Sequence, residues 1–246
     1  MATDKERRML IRPLMKRRPD LAYHRQYVFL RPLTHYLLGV YFCPGRWANE
    51  VELATIVMPL FGGWDYVYLQ SKHGLNKSGF PFEKRVPGDW KQDPEGTSRW
   101  VCDFIEHEAV PVLARLTSPH ALATEPGYRG YLWEAMLGAC FDGDYDEAER
   151  LVVDYVGREG GQRLRLGDYP GRDWRKPDEY EPYSIAIATE AHKFHEDRDW
   201  RLAYLGKVLQ TDRARVPALL HDWEAFTVKS LKLDKYWTRT PFPCEG

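Results

Sequence analysis

The sequence predicts an α+β protein, with an N-terminal antiparallel four-stranded meander covered by helices and an all-helical C-terminal half. Three observations lead to this prediction. Residues 23–70 contain runs in which apolar residues recur at every second position and so share one face, and a repeat of two residues is the period of a strand. After Ser98, apolar residues recur three and four positions apart, which is the period of a helix. From about residue 126 the helices pair, so two domains are expected, residues 1–125 and residues 126–246.

A short basic helix is expected over about residues 4–16, bent or ended near Pro13. Its cations form a cluster: Lys5, Arg7, Arg8, Arg12, Lys16, Arg17 and Arg18. A solvated helix face explains such a run, and an anionic partner is the alternative. The whole chain has a formal net charge of −1, which argues against general electrostatic capture of nucleic acid.

Four strand patterns follow the helix, over residues 23–31, 35–42, 50–60 and 64–70. The second has a wholly apolar face, made of Tyr36, Leu38, Val40 and Phe42. Such a face must be covered by another element. Gly62 and Gly63 separate the last two patterns and predict a hairpin, because both positions tolerate positive φ.

The helix that starts near Ser98, the expected N-cap, is the natural cover for this sheet face. Its apolar positions have helical spacing, and Pro111 should kink it near its middle. In the second half, residues 128–140 and 145–156 carry answering apolar stripes, which predict an antiparallel helical hairpin. Three further helices are expected over about residues 182–196, 199–210 and 213–231. Two long polar loops, residues 71–97 and 157–183, connect these elements.

Aromatic residues make up 14% of the chain, and several fall together. One face of the last predicted strand carries Trp64, Tyr66 and Tyr68. Trp47 lies in the loop that precedes the strand predicted over residues 50–60. A row of rings on a sheet face is either core beneath a helix or an exposed recognition platform. In the second interpretation, Trp47, Trp64, Tyr66 and Tyr68 bind a partner.

The strongest candidate for metal chemistry is the segment that contains Glu190, His192 and His195. Imidazoles with a carboxylate hold catalytic zinc or non-haem iron. The two histidines are three residues apart, whereas the zincin helix places them four apart, and no third ligand is evident. Ordinary histidines at a helix end are the other interpretation. The runs Glu106-His107-Glu108 and His221-Asp222 are expected to be surface histidines linked to acids.

No nucleophile elbow, phosphate-binding loop or dinucleotide fingerprint occurs. The sequence therefore predicts no cofactor, no catalytic residue and no metal site, and does not indicate an enzyme. Cys43, Cys102, Cys140 and Cys244 are scattered without metal-ligand spacing. They favour reduced thiols in a cytoplasmic protein, and no apolar run is long enough to span a membrane.

Residues 5–123 resemble a group of small α+β domains that are encoded beside bacterial polymorphic toxins. The likeness rests on the short N-terminal helix, the meander with an aromatic last strand, and the helix WVCDFIEHEAVPVLARL. Those domains are thought to act as immunity proteins. The resemblance implies a cytoplasmic protein that neutralises a toxin or effector, and it carries over no catalytic residue.

The leading expectation is thus a non-catalytic protein-binding module, in which the sheet and loops recognise a protein partner. Two alternatives belong to other classes of function. One is a metal-dependent hydrolase that uses His192, His195 and Glu190. The other is a helical scaffold that binds a peptide in a groove of the hairpin at residues 128–157, which would leave an exposed concave apolar surface.

Overall fold

The computed structural model describes residues 3–44, 51–67, 83–86, 89–124, 132–158 and 194–246. The chain divides into two compact units. Unit 1 comprises Met1–Arg129 and Thr227–Thr240, and unit 2 comprises Gly130–Phe226 and Pro241–Gly246. A division at residue 125 assigns residues 227–240 to the second domain, but in the fold they belong to unit 1. The reason is a backbone bridge between Leu33 and Trp237.

Unit 1 contains an antiparallel sheet of five strands in the order β1-β2-β3-β4-β5. The strands are β1 Leu21–His24, β2 Tyr27–Leu30, β3 Tyr36–Pro44, β4 Val51–Pro59 and β5 Glu83–Arg85. The first four form an antiparallel four-stranded meander, which confirms the predicted class of sheet, although not all of its strands are the predicted ones. The apolar face of β3 is buried, with Tyr36 and Leu38 each 6% exposed.

The single strand predicted over residues 23–31 is in fact the β1–β2 hairpin. Leu21 pairs with Leu30, and the chain reverses at Arg25 and Gln26. Arg25 adopts a left-handed backbone, with φ 55°. Because this turn lacks the glycine or asparagine that usually marks a two-residue hairpin, the alternation continues through it in the sequence.

The predicted hairpin at Gly62-Gly63 is wrong. After β4, the chain forms a 3₁₀ turn at Leu60–Gly62, and only Gly63 has a positive φ, 72°. Gly62 is required for another reason, since a Cβ there would lie 2.1 Å from Nε1 of Trp64. Residues 64–67 form no strand. β5 pairs with β4 in place of the predicted strand.

Two helical segments cover the sheet. Helix α1 spans Asp4–Arg17 and begins with a capping box, in which Thr3 and Glu6 bond to each other's backbone N–H. Pro13 lies inside it, as expected. Helix α2, Pro94–Asp103, packs on α1 and is capped by Asp93. Ser98 is therefore not its N-cap.

Ser98 instead joins the two helices, because its hydroxyl donates to the Leu10 carbonyl at 2.6 Å. Beyond α2 the chain widens into a π-helix, Phe104–Ala109, and returns to α-helix as α3, Val110–Leu113. Pro111 offers no N–H to the preceding turn, which explains why the irregularity falls here. The π-helix and α3 both contact β3 and provide the expected cover. Helix α4, Pro119–Thr124, follows.

Unit 2 begins with the predicted helical hairpin, formed by α5 Leu132–Asp142 and α6 Tyr145–Arg158. Gly143 turns the chain at φ 82°, and the Asp144 carboxylate accepts the Glu147 N–H at 3.2 Å. Met136, Cys140 and Ala148 on the facing stripes are each 0% exposed. These three side chains are therefore buried where the two helices pack together.

Two longer helices follow, α7 Phe194–Thr211 and α8 Val216–Leu231. They agree with the helices expected over residues 199–210 and 213–231. The helix expected over residues 182–196 lies mostly outside the described residues. In the part of the chain that the structure describes, no helix is both long and apolar enough to cross a bilayer.

Candidate partner-binding face

Of the four aromatic residues predicted to bind a partner, the structure describes Trp64 and Tyr66, and neither is fully exposed. Trp64 is 3% exposed, and its backbone N–H donates to the Thr227 hydroxyl at 2.7 Å. Tyr66 is half-buried and meets Trp64 edge-on, with ring centroids 6.1 Å apart. Trp47 and Tyr68 lie outside the described residues. A side chain already buried within unit 1 offers no surface to a partner, so Trp64 is core.

The predicted metal candidates cannot be assembled into a site from the described residues. Glu190 and His192 lie outside them, and of His195 only the backbone, at the start of α7, is described. Among the residues with described side chains, no group of three or more His, Cys, Asp or Glu could hold a metal ion.

His221 differs from the expected surface histidine. It is 6% exposed. Its Nε2 lies 2.8 Å from a Glu245 carboxylate oxygen, and its Nδ1 lies 3.6 Å from Glu224. The same Glu245 oxygen accepts the Phe242 N–H at 2.6 Å, so this cluster fastens the end of the chain within unit 2. His107, by contrast, is exposed as expected.

The outer face of α1 carries a basic stripe, which we define as Lys5, Arg8, Met9, Arg12 and Lys16. Lys5, Met9, Arg12 and Lys16 are three or four positions apart, and Arg8 is three positions from Lys5 and four from Arg12. All five residues are exposed and lie along one side of the helix. Met9 is a large apolar side chain that is 50% exposed. No ion pair joins Lys5, Arg12 or Lys16 to a residue that the structure describes. A cationic stripe in which three of the four cations are unpaired, with an exposed methionine at its centre, is a surface that can bind an anionic partner.

Arg8 is held in position by its neighbours. Its Nε lies 2.7 Å from an Asp4 carboxylate oxygen, and its guanidinium stands 4.9 Å from the centre of the Tyr23 ring. The Tyr23 hydroxyl accepts from Arg7 Nε at 3.2 Å and lies 2.8 Å from the other Asp4 oxygen. These bonds, from Arg8 first and Tyr23 second, lower the pKa of Asp4. The network keeps the Arg8 side chain ordered at the surface.

Three cations, Arg8, Arg25 and Lys235, lie close enough to His24 for their charges to lower the pKa of its imidazole, and we call these four residues the His24 cluster. His24 Nε2 donates to the Leu231 carbonyl at 3.2 Å. Burial of the ring lowers the pKa of His24, and the positive charges of Arg25, Lys235 and Arg8 lower it further. His24 is consequently neutral at pH 7, and the face around it is positive.

Two cations of this region occupy a backbone conformation that L-residues avoid. Arg25 has φ 55°, and Lys232, next to the residue that His24 bonds, has φ 58°. Glycine is the residue best suited to a left-handed position, and other residues cost about 1 kcal/mol or more there. Both positions hold an exposed cation despite this cost. Backbone strain of this kind concentrates at functional sites.

A surface pocket of about 450 Å³, which we call the Tyr236 pocket, adjoins the His24 cluster through Lys235. It is lined by Pro19, Asp20, Arg31, Pro32, Lys235, Tyr236, Trp237 and Thr238. The Tyr236 ring stands edge-on to Phe29 and His24, with centroid distances of 5.1 and 6.0 Å. Its hydroxyl donates to the Tyr23 carbonyl at 3.3 Å.

The sequence pattern identified the N-terminal cations as a candidate surface for an anionic partner, but the site predicted from it did not include Met9, Arg25 or the segment at residues 235–238. The spacing of the cations in α1 was a usable signal, because it places Met9 at the centre of one face. Nothing in the sequence indicates that Tyr236 returns to β1 and β2, because that contact spans more than 200 positions.

Comparison with known proteins assigns no family: no family model, curated protein or solved structure matches this chain.

Proposed function

We propose that this protein is a non-catalytic protein-binding module whose partner carries an acidic surface. The basic stripe of α1 is the observation that carries the proposal, because Met9 supplies an exposed apolar anchor between unpaired cations. Binding hot spots combine such an apolar centre with a charged rim. The resemblance of residues 5–123 to immunity domains suggests a bacterial toxin or effector as the partner, which this module would neutralise in the cytoplasm.

The His24 cluster extends the same face. Arg8 belongs to both the stripe and the cluster, and its order is maintained by Asp4 and Tyr23. Ordering a flexible arginine before binding reduces the conformational entropy that association would otherwise cost. The face therefore combines long-range attraction of an acidic surface with a preorganised contact residue.

The first test reverses the two cations that bracket Met9. The variant with Lys5→Glu and Arg12→Glu is expected to bind the partner about tenfold more weakly or worse, because rim charges steer association. The partner is sought by co-expressing the tagged protein with products of the flanking genes, and affinity is measured by titration calorimetry at two salt concentrations. Wild-type binding should weaken with salt, and variant binding should depend on salt less.

The matched control makes the same charge change with Arg115→Glu and Arg215→Glu, two exposed cations that belong to neither the basic stripe nor the His24 cluster. Its affinity should equal that of the wild type. Equal loss in both double variants would mean that only net charge matters. A stripe variant that still binds at full strength, or a wild type that protects against none of the flanking products, refutes the proposal.

A second prediction separates binding from stability. Arg25→Gly and Lys232→Gly remove a charge and also relieve a left-handed backbone, so each is expected to keep or raise stability, by up to about 1 kcal/mol. Partner affinity should nevertheless fall. Urea denaturation gives the first quantity and calorimetric titration the second. If both variants lose stability, Arg25 and Lys232 stabilise the fold, and their left-handed backbone is not explained by partner binding.

A further inference from the structure

The Tyr236 pocket has walls that come from three separate parts of unit 1 and are joined by backbone hydrogen bonds. The Arg31 N–H donates to the Asp20 carbonyl at 2.8 Å. The Leu33 N–H donates to the Tyr236 carbonyl at 3.0 Å, and the Thr238 N–H donates to the Leu33 carbonyl at 2.8 Å. Pro19 and Pro32 further restrict the backbone. The pocket is thus formed before any ligand arrives.

The charge of the pocket is positive. Both carboxylate oxygens of Asp20 are engaged by Arg18, at 2.9 and 2.6 Å, which also lowers the pKa of Asp20. Arg31 bonds the Pro19 carbonyl through Nη2 at 2.5 Å and makes no ion pair with a described residue. Lys235 Nζ stands 4.6 Å from the centre of the Tyr236 ring. Lys235, beside the Tyr236 ring, and Arg31, bonded to the Pro19 carbonyl, are therefore the two cations of the pocket that can bind an outside anion.

We infer that the Tyr236 pocket binds a glutamate or aspartate side chain from the partner's acidic segment, an inference that rests on the proposed function. The carboxylate bonds Arg31 and Lys235, whose donors match its oxygens. The methylene stem lies against the rings of Tyr236 and Trp237, which is apolar contact that inorganic phosphate cannot make. The volume of about 450 Å³ accommodates one such side chain with its backbone.

The probe is a fluorescein-labelled hexaglutamate peptide, and binding is measured by anisotropy. Replacing Arg31→Gln and Lys235→Gln together is expected to weaken binding about tenfold, since two exposed ion pairs are lost. The single variant Lys235→Gln leaves the Arg31–Pro19 bond intact and should weaken binding about threefold. Arg215→Gln with Lys229→Gln is the matched control and should bind as the wild type does.

The indole ¹H–¹⁵N resonance of Trp237 reports on the pocket itself. It should shift on addition of hexaglutamate or glutarate, and glutarate should displace the peptide more effectively than phosphate does. If hexaglutamate binds the Arg31/Lys235 variant with wild-type affinity, or phosphate displaces it as well as glutarate does, the pocket assignment is wrong while the proposed function stands. Failure of the wild type to bind hexaglutamate also overturns the pocket assignment, and the co-expression test then decides the proposed function separately.

Discussion

Replacing Trp64→Ala should lower the free energy of unfolding of unit 1 by about 3–5 kcal/mol, the usual cost of deleting a buried indole. Trp64 is 3% exposed, and the chain is shaped around it. Gly62 has no Cβ where the indole lies, and Thr227, itself 0% exposed, accepts the Trp64 N–H. Truncation removes the ring while this anchored backbone remains, which leaves a cavity. Urea denaturation followed by far-UV circular dichroism measures the loss.

Tyr66→Ala is the matched control, because Tyr66 belongs to the same predicted row but is only half-buried. Its edge-on contact with Trp64 is worth about 1 kcal/mol, so a loss of this size is expected. Comparing the stability and the partner affinity of the Trp64→Ala and Tyr66→Ala proteins also decides whether Trp64 belongs to the core or to a recognition platform. A Trp64→Ala protein with unchanged stability and abolished partner binding would show that the indole serves an interface, contrary to its burial here.

The second large effect is expected for Gly39→Ala, at the centre of β3. A Cβ at this position would lie 2.4 Å from the Val28 carbonyl oxygen and 2.8 Å from Cβ of Phe29. Phe29 is the residue that pairs with Gly39 across the β2–β3 ladder. Because a carbonyl oxygen and a Cβ of the adjacent strand are fixed by the backbone, no rotamer change relieves the clash. The two strands must separate, at a cost of about 3 kcal/mol.

The urea midpoint of the Gly39→Ala protein measures this cost. Gly246→Ala is the control, since the nearest atom to a Cβ there is the Pro243 carbonyl oxygen at 3.6 Å, an ordinary contact. It should change the midpoint little. An equal, small effect of both substitutions would mean that β2 and β3 are farther apart around Gly39 than the structure has them.

Much of the architecture follows from local patterns. The alternation in residues 35–42 and 50–60 predicted β3 and β4, because a strand with a buried face must repeat with a period of two. Helical spacing predicted α1, the α5–α6 hairpin and α8 for the corresponding reason. Asp144 and Gly143 marked the turn of that hairpin through local capping chemistry. These features depend on neighbours a few positions away.

Three sequence-based predictions failed, one at a turn without its usual glycine and two where a side chain or backbone group makes a nonlocal contact. The turn at Arg25 has no glycine, so the β1–β2 hairpin resembled a continuous strand. Trp64 and Tyr66 have strong strand propensity, yet residues 64–67 form no strand. Instead, the Trp64 N–H bonds Thr227. Ser98 resembled an N-cap but donates its hydroxyl to Leu10 on a different helix.

The sequence by itself determined the α+β class, the strands β3 and β4 and the basic composition of α1, because each is set by residue periodicity and local charge. The tertiary structure decided which surface those residues offer. It buried Trp64 and left the Met9 side of α1 exposed. It also brought Tyr236 and Lys235 beside Arg31 to form the pocket. Burial and convergence depend on contacts between residues up to about 200 positions apart, and no local pattern encodes such contacts.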